Sequence, residues 1–212
     1  PKWTMPFADQ FVIAGKNSYF NRYSPHPPSL KNVHDYFENN KKINLLLLNI
    51  GQTFDLNTEK KIPEDNFIVH TEKDRENYIK RISHVKYDHE LLNLNESISE
   101  ERLLDYASKR LFFEQEKQKY FSDWKILFEI KQKKMNKYYL LNLNEKKILK
   151  LDNKKNLSEP YLIMSLERNV FILLLLGHMS WNMADGAFFI QYERAPNIYD
   201  PKFYAFINYL KV

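Results

Sequence analysis

Short apolar runs separated by polar turns dominate the C-terminal part of the chain. Three of them, rich in aliphatic and aromatic residues, span residues 124–130, 138–143 and 147–151. Runs of this length, bounded by polar turns such as Asn144-Glu145, are typical of β-strands. The pattern therefore predicts an antiparallel meander of three strands.

The rest of this part alternates between helix and strand. Residues 165–178 are largely apolar and predict a buried helix with its amino-terminal cap at Ser165. Residues 187–193 predict a further strand. Asp200 followed by Pro201 is typical of a helix cap and first turn, and predicts a last amphipathic helix to about residue 210.

The first part of the chain shows a different pattern, typical of an α/β arrangement. Residues 44–50 form a short apolar run closed by Gly51, which predicts a strand buried on both faces. Residues 29–40 begin with a good capping residue, Ser29, and predict a helix that packs on the sheet. Residues 1–73 are therefore predicted to form one α/β region.

The middle of the chain is polar and helical in pattern. Ser97 and Glu100 have the spacing of a capping box, which predicts a helix beginning at Ser97. Its buried face is predicted to carry apolar residues three to four positions apart, and these are Leu104, Ala107 and Leu111. We predict that residues 74–123 connect the first region to an α+β tail, residues 124–212.

The composition is that of a packed globular chain. Hydrophobic residues make up 43% of it and aromatic residues 15%, which is too apolar for disorder. The net charge of +5 comes from 32 Lys and Arg against 27 Asp and Glu, and much of the excess lies in short lysine runs between residues 131 and 155. No recognised nucleic-acid motif accompanies these lysines, so we favour a solvated face and sheet edges over a nucleic-acid partner.

The absence of cysteine excludes whole classes of site. With 0 Cys, the chain has no disulfide, no thiolate nucleophile and no Cys-ligated zinc or iron–sulfur centre. The 6 histidines do not show metal-ligand spacing, and no glycine-rich phosphate loop occurs. No signal peptide is visible, and the longest apolar runs fall far below the ~20 residues that span a bilayer. These features predict a cytoplasmic chain with no membrane span, and its start at Pro1 predicts a piece of a longer protein.

Polar and aromatic residues are densest between residues 177 and 186. Trp181, Asn182 and Asp185 lie there, between a predicted helix and a predicted strand, where loops often carry function. A structural role is the alternative. Trp181 would then anchor the core, the two polar residues would satisfy turn backbone, and Arg194 would pair with Asp185. The sequence alone favours the structural role.

Three segments, in order, resemble the C-terminal half of the CMP-N-acetylneuraminate hydroxylase family. Residues 3–8, Trp-Thr-Met-Pro-Phe-Ala, are similar to the family's Cys-Pro-Phe-Ala strand end. Residues 46–56 are similar to its Pro-Gly-x-x-x-Asp-Leu segment. Residues 180–199 give the most specific match. Four residues of this segment keep the family's spacing: Trp181, Arg194, Pro196 and Tyr199.

The resemblance implies a fold and an enzyme class. Residues 1–73 would be the C-terminal elements of a metallo-β-lactamase-like αββα domain, and the antiparallel-sheet-plus-helices tail, residues 124–212, resembles a sterol-carrier-like fold. In that family a Rieske 2Fe-2S cluster, or a zinc or iron site, would lie upstream of Pro1, so no cofactor is expected in this chain. The full-length protein is then expected to be an oxidoreductase-like or metallo-hydrolase-fold enzyme, with its N-terminal portion as the partner of this chain.

The resemblance also implies a nucleotide-sugar ligand and the residues that bind it. Arg194 would pair with a phosphate or carboxylate, and Trp181 would stack on a base or sugar. The expected substrate-binding residues are Asp9, Asp55, Trp181, Asn182, Asp185 and Arg194, and no catalytic residue is assigned. One alternative is a non-catalytic binding or interaction module that holds an apolar ligand between the sheet and the 165–178 helix. Another is part of a metallo-β-lactamase-type hydrolase.

Overall fold

The chain folds into two compact units, Pro1–Lys86 and Tyr87–Val212. A computed structural model describes residues 3–5, 12–23, 35–37, 39–40, 44–133, 135–155 and 157–212. The three-part division expected from the sequence, with boundaries near residues 73 and 123, stays a prediction.

The described residues of the first unit include two small sheets and helical segments. Its elements are β1 (Trp3–Thr4), a 3-10 helix (Gly15–Tyr23), β2 (Asn44–Leu45), β3 (Thr53–Asp55), β4 (Lys60–Ile62) and α1 (Glu72–Ile82). Strands β1 and β2 pair in parallel, whereas β3 and β4 form an antiparallel hairpin. The strand predicted over residues 44–50 is shorter, because regular pairing ends at Leu45 although Leu46 and Leu47 are buried.

The helix predicted over residues 29–40 falls only partly within the described residues. Residues 35–37 and 39 are helical. Residues 29–34 and 38 lie outside the part of the chain that the structure describes.

The second unit is a five-stranded sheet with helices. Its elements are α2 (Asp88–Leu91), α3 (Glu100–Gln118), β5 (Lys125–Lys131), β6 (Lys137–Asn142), β7 (Lys147–Leu151), β8 (Tyr161–Glu167), α4 (Arg168–Leu175), α5 (Trp181–Gly186), β9 (Ile190–Ala195) and α6 (Pro201–Ile207). The strand order is β7-β6-β5-β8-β9. Only β5 and β8 pair in parallel within this sheet, and the others pair antiparallel. The predicted meander, β5 to β7, and the mixed α+β class are confirmed.

The two faces of the sheet are buried in different ways. Alternate residues of β5, such as Phe128, join a large core with α3, α4, α5 and α6. The intervening residue Leu127 joins a smaller cluster with Leu140 and Ile163 on the other face, against which Leu157 packs. Since Leu157 belongs to the connection from β7 to β8, this connection covers part of the second face.

The predicted helix over residues 165–178 is wrong in its first turn. Ser165 lies in β8, and the helix α4 begins at Arg168 with Glu167 as its N-cap. Strand β8 is central, between β5 and β9, and is apolar on both faces. A strand of this kind has no alternating pattern, so its sequence runs into the apolar helix without a visible boundary.

The cap of α3 is also two residues later than predicted. Ser99, not Ser97, accepts a hydrogen bond from the Arg102 backbone N–H at 3.3 Å. Glu100 does not complete a capping box, because its buried carboxylate pairs with Arg168 and with Lys137 Nζ at 2.9 Å. The predicted buried face is confirmed, since three residues of α3 are fully buried in the main core: Leu104, Ala107 and Leu111.

Candidate functional site

A pocket of about 240 Å³ lies on the helix-covered face of the sheet, where β8 and β9 meet α5 and α6. Helices α5 and α6 begin at well-formed caps. Ser180 accepts a hydrogen bond from the Met183 N–H at 3.0 Å, and Asp200 accepts from Lys202 and Phe203. The pocket is lined by Met164, Trp181, Asn182, Asp185, Tyr192, Tyr199, Pro201, Tyr204, Ala205, Ile207 and Asn208.

The floor of the pocket is apolar and belongs to the core. Met164 of β8 is 1% exposed and Trp181 of α5 is 5% exposed. Ile207 of α6 is buried beside them in the same cluster. The Trp181 indole Nε1–H donates to the Leu210 carbonyl at 3.2 Å, so the one polar atom of this side chain is satisfied and the ring presents an apolar surface.

Three tyrosines form the aromatic wall of the pocket. The Tyr199 and Tyr204 rings stack with their centroids 4.8 Å apart. The Tyr192 ring meets Tyr204 edge-on at 5.8 Å. Burial raises the pKa of Tyr192, and the neighbouring Asp185 carboxylate adds to this effect. Burial also raises the pKa of Tyr204, so both hydroxyls stay protonated at neutral pH and remain hydrogen-bond donors.

Two side chains of opposite charge flank these tyrosines. Asp185 lies in the exposed part of the pocket wall. Arg194 donates from Nη1 to the Tyr204 hydroxyl at 3.2 Å and from Nε to Asn197 Oδ1 at 2.9 Å. The Arg194 guanidinium carbon lies 5.9 Å from the Tyr199 ring centroid. Among the described residues, the ion pair between Arg194 and Asp185 that the structural alternative predicts is not formed.

The structure brings together four of the six predicted site residues. Trp181, Asn182 and Asp185 line one pocket, and Arg194 bonds to its wall. Trp181, Asn182 and Asp185 lie on a short helix, not on the predicted loop, because Ser180 caps α5, and Arg194 lies on β9. Their role in binding stays a prediction.

The other two predicted residues are not part of this pocket. Asp55 lies in the first unit, where its carboxylate accepts a hydrogen bond from the Asn57 N–H at 2.8 Å and closes the turn after β3. That bond lowers the pKa of Asp55. Asp9 lies outside the described residues.

Sequence reasoning missed several lining residues, among them Met164, Tyr192, Tyr204, Ile207 and Asn208. One signal was available at the end of α6, where the C-cap Asn208 follows Tyr204 by four positions and so lies on the same side of the helix. Another was the alternation in β9, which places Tyr192 and Arg194 on the same face of the sheet.

Neither a metal site nor a membrane helix is found in the described part of the chain. No group of three His, Asp or Glu side chains in it is arranged to hold a metal ion. No helix there combines the length and the hydropathy that a bilayer crossing requires.

The second unit belongs to the mixed α+β class, with helices packed on one face of a five-stranded sheet. No family model and no curated protein matches the chain. The solved structures that match include three sterol carrier proteins of Aedes aegypti. Sterol carrier protein-2 like-3 is 14% identical, with 47% of this chain and 89% of that chain covered and a TM-score of 0.38.

The other two matches are similar in extent. Sterol carrier protein 2 like 2 is 9% identical, with 44% of this chain and 83% of that chain covered and a TM-score of 0.34. Sterol carrier protein-2, solved in complex with the C16 fatty acid palmitate, is 12% identical, with coverages of 53% and 93% and a TM-score of 0.40. These likenesses concern the fold alone.

The resemblance to the CMP-N-acetylneuraminate hydroxylase family is wrong. The solved structures that match are sterol carrier proteins, not metallo-β-lactamase-fold hydroxylases. The expected oxidoreductase class and nucleotide-sugar ligand rested on that resemblance and are withdrawn with it. The metallo-β-lactamase elements expected for residues 1–73 are not supported by any match.

The physical reason for this error lies in residues 180–199. Trp181 is a core anchor, and Asp200-Pro201 after the segment is an ordinary helix start. Arg194 and Tyr199 pack beside each other at the end of the edge strand β9. Anchors and caps of this kind occur in many folds, so their spacing does not define a family.

Proposed function

We propose that residues 87–212 form a non-catalytic module that binds one small amphiphilic molecule in the pocket between β8, β9, α5 and α6. The observation behind this proposal is the composition of the pocket. Its floor is apolar, its wall is aromatic, and amide, hydroxyl and carboxylate groups stand at its open side. The accessible lining is more polar than apolar, so the pocket suits the polar end of an amphiphile, which such groups orient.

The size of the pocket limits how the ligand would bind. A volume of about 240 Å³ is below the range of roughly 300–1,000 Å³ that encloses a drug-sized molecule. The pocket therefore fits a polar group and the first part of an apolar chain or ring. A longer ligand would continue past the open side, along the Tyr199 ring, which is 61% exposed.

The place of this pocket differs from the one expected from the sequence. The space between the sheet and α4 is filled, because Phe128 and Phe171 are fully buried there with their ring centroids 5.1 Å apart. A pocket lies further along the same face, under α5 and α6. An apolar ligand is therefore proposed there and not against α4.

The protonated state of Tyr192 and Tyr204 argues against a tyrosine base or nucleophile in this pocket. A tyrosine hydroxyl acts as a base or nucleophile only when its pKa is brought down towards neutrality. Here burial moves the pKa of Tyr192 and Tyr204 in the opposite direction. Both hydroxyls are suited to orienting a ligand by hydrogen bonding.

Replacing Tyr199 by Ala is expected to weaken ligand binding by about 3- to 10-fold, which is the size of one aromatic contact. The dissociation constant of an octyl-chain amphiphile, measured by calorimetric titration of the chain, checks this. Tyr106→Ala is the matched control, because Tyr106 is 60% exposed on α3 and lies outside this pocket. Equal affinities for the two variants would place the ligand elsewhere. Solvent extraction and native mass spectrometry of the purified chain then identify any ligand that co-purifies.

A further inference from the structure

Two charged side chains of opposite sign lie at the pocket, since Asp185 lines it and Arg194 bonds to its tyrosine wall. Within the described part of the chain, neither Asp185 nor Arg194 forms an ion pair. Asp200, the next acidic residue after Arg194, accepts hydrogen bonds from the backbone N–H groups of Lys202 and Phe203. Glu193 lies on the opposite face of the sheet, where Lys154 Nζ is 3.5 Å from its Oε2. Asp185 interacts with the neutral Tyr192 hydroxyl, so among the described residues no side chain of opposite charge neutralises either group.

Arg194 has donors left over for an anion. A guanidinium has five N–H donors in a planar fork. Its Nε and Nη1 bond to Asn197 and Tyr204, and Nη2 makes no hydrogen bond to any residue that the structure describes. These two bonds fix the plane of the guanidinium at the edge of the tyrosine wall, so a phosphate or carboxylate oxygen of a ligand finds an oriented donor.

The tyrosine rings and the Asp185 carboxylate together favour a bound cation. Tyrosine faces attract an ammonium group placed over the ring, and a carboxylate beside them adds a charge of the opposite sign. Asp185 and the tyrosines line the same pocket. The amides of Asn182 and Asn208 line it too and accept hydrogen bonds without adding charge.

We infer that the pocket selects a zwitterionic polar group, whose cationic nitrogen lies against the tyrosines beside Asp185 and whose anionic oxygen accepts from Arg194. This inference rests on the proposed function, because it specifies the polar end of the same amphiphile. A cationic or an anionic head group would satisfy only one of the two charges. A zwitterion satisfies both.

The test compares three amphiphiles that share an octyl chain and are used below their micelle concentrations. They are octylphosphocholine, octyltrimethylammonium and octanoate. With the unmodified chain, the zwitterion is expected to bind most tightly. Asp185→Asn is expected to lower the affinity for the zwitterion and the cation by about 3- to 5-fold. The affinity for the anion should stay the same or rise. Arg194→Gln is expected to lower the affinity for the zwitterion and the anion by a similar factor, and to leave the affinity for the cation unchanged.

Control variants of the protein, and a probe that lacks the octyl chain, separate the possible outcomes. Asp105→Asn and Arg110→Gln make the same changes of net charge on α3 and should alter none of the affinities. If all three amphiphiles bind equally and neither pocket variant matters, the zwitterion inference is wrong while the proposed function stands. If none binds, the proposed function itself is wrong. Glycerophosphocholine is expected to bind more weakly than octylphosphocholine, and equal binding would show a free zwitterion as the ligand and contradict the amphiphile proposal.

Discussion

Replacing Arg168 by Met is expected to lower the free energy of unfolding by about 3–5 kcal/mol, the cost of leaving one partner of a buried ion pair alone. Glu100, which it contacts, is 3% exposed. Burial alone would raise the pKa of Glu100, but hydrogen bonds from Lys137 and Arg168 outweigh it and lower the pKa. Glu100 is therefore charged at neutral pH and depends on its two cations.

Arg168 also holds the segment that precedes α3. Its Nη2 donates to the backbone carbonyls of Asn95 at 3.1 Å and Ile98 at 2.9 Å. The side chain thus joins the start of α4 to the residues just before the Ser99 cap. Loss of these bonds adds to the cost of the uncompensated carboxylate.

Chemical denaturation of matched variants checks the Arg168 prediction. Lys137→Met should lower the free energy of unfolding by less than Arg168→Met does, because Lys137 is partly exposed and water can take its place beside Glu100. The double variant Glu100→Met/Arg168→Met should regain much of the loss, since apolar replacement of a whole buried pair is often neutral. A loss below about 1 kcal/mol for Arg168→Met, the range of exposed ion pairs, would contradict this account of the Glu100 site.

Replacing Trp181 by Ala is expected to lower the free energy of unfolding by about 3–5 kcal/mol, as for other buried aromatic residues. Trp181 packs in the main core, with its ring centroid 6.2 Å from that of Phe128. It also forms the pocket floor, so ligand affinity should fall together with stability.

Trp181→Phe separates the two contributions. Phe keeps most of the apolar volume but loses the hydrogen bond to the Leu210 carbonyl, which leaves a buried acceptor unsatisfied at a cost of about 1–3 kcal/mol. Thermal unfolding measured without an octyl amphiphile gives the change in stability, and the added stabilisation with the amphiphile gives the change in affinity. If Trp181→Ala were as stable as the unmodified chain, Trp181 would not be the anchor that the structure indicates.

Local sequence patterns predicted the parts of the fold that local physics decides. The buried face of α3 follows from its helical spacing, because Leu104, Ala107 and Leu111 must lie on one side of a helix. The Asp200-Pro201 start of α6 follows from capping chemistry alone. The meander of β5 to β7 follows from short strands separated by polar turns.

Features that depend on contacts between distant segments escaped prediction. The sequence predicts a helix at Ser165 because a strand buried on both faces shows no alternation. Met164 and Asn208 line one pocket only because α6 packs on β8. The sequence of neither segment predicts this contact. The same limit explains the mistaken family resemblance, which gave functional weight to Trp181 and Arg194 from spacing alone.

The methyl resonance of Met164 tests the central proposal most directly. The chain has 5 Met residues, and Met164 is 1% exposed at the pocket floor. Met135, which is 76% exposed beside the start of β6 and outside the pocket, is the internal control. In methyl-labelled chain titrated with octylphosphocholine, the Met164 resonance is predicted to shift and saturate while Met135 stays in place. Binding of the amphiphile with an unchanged Met164 resonance would contradict the assignment of this pocket as the binding site.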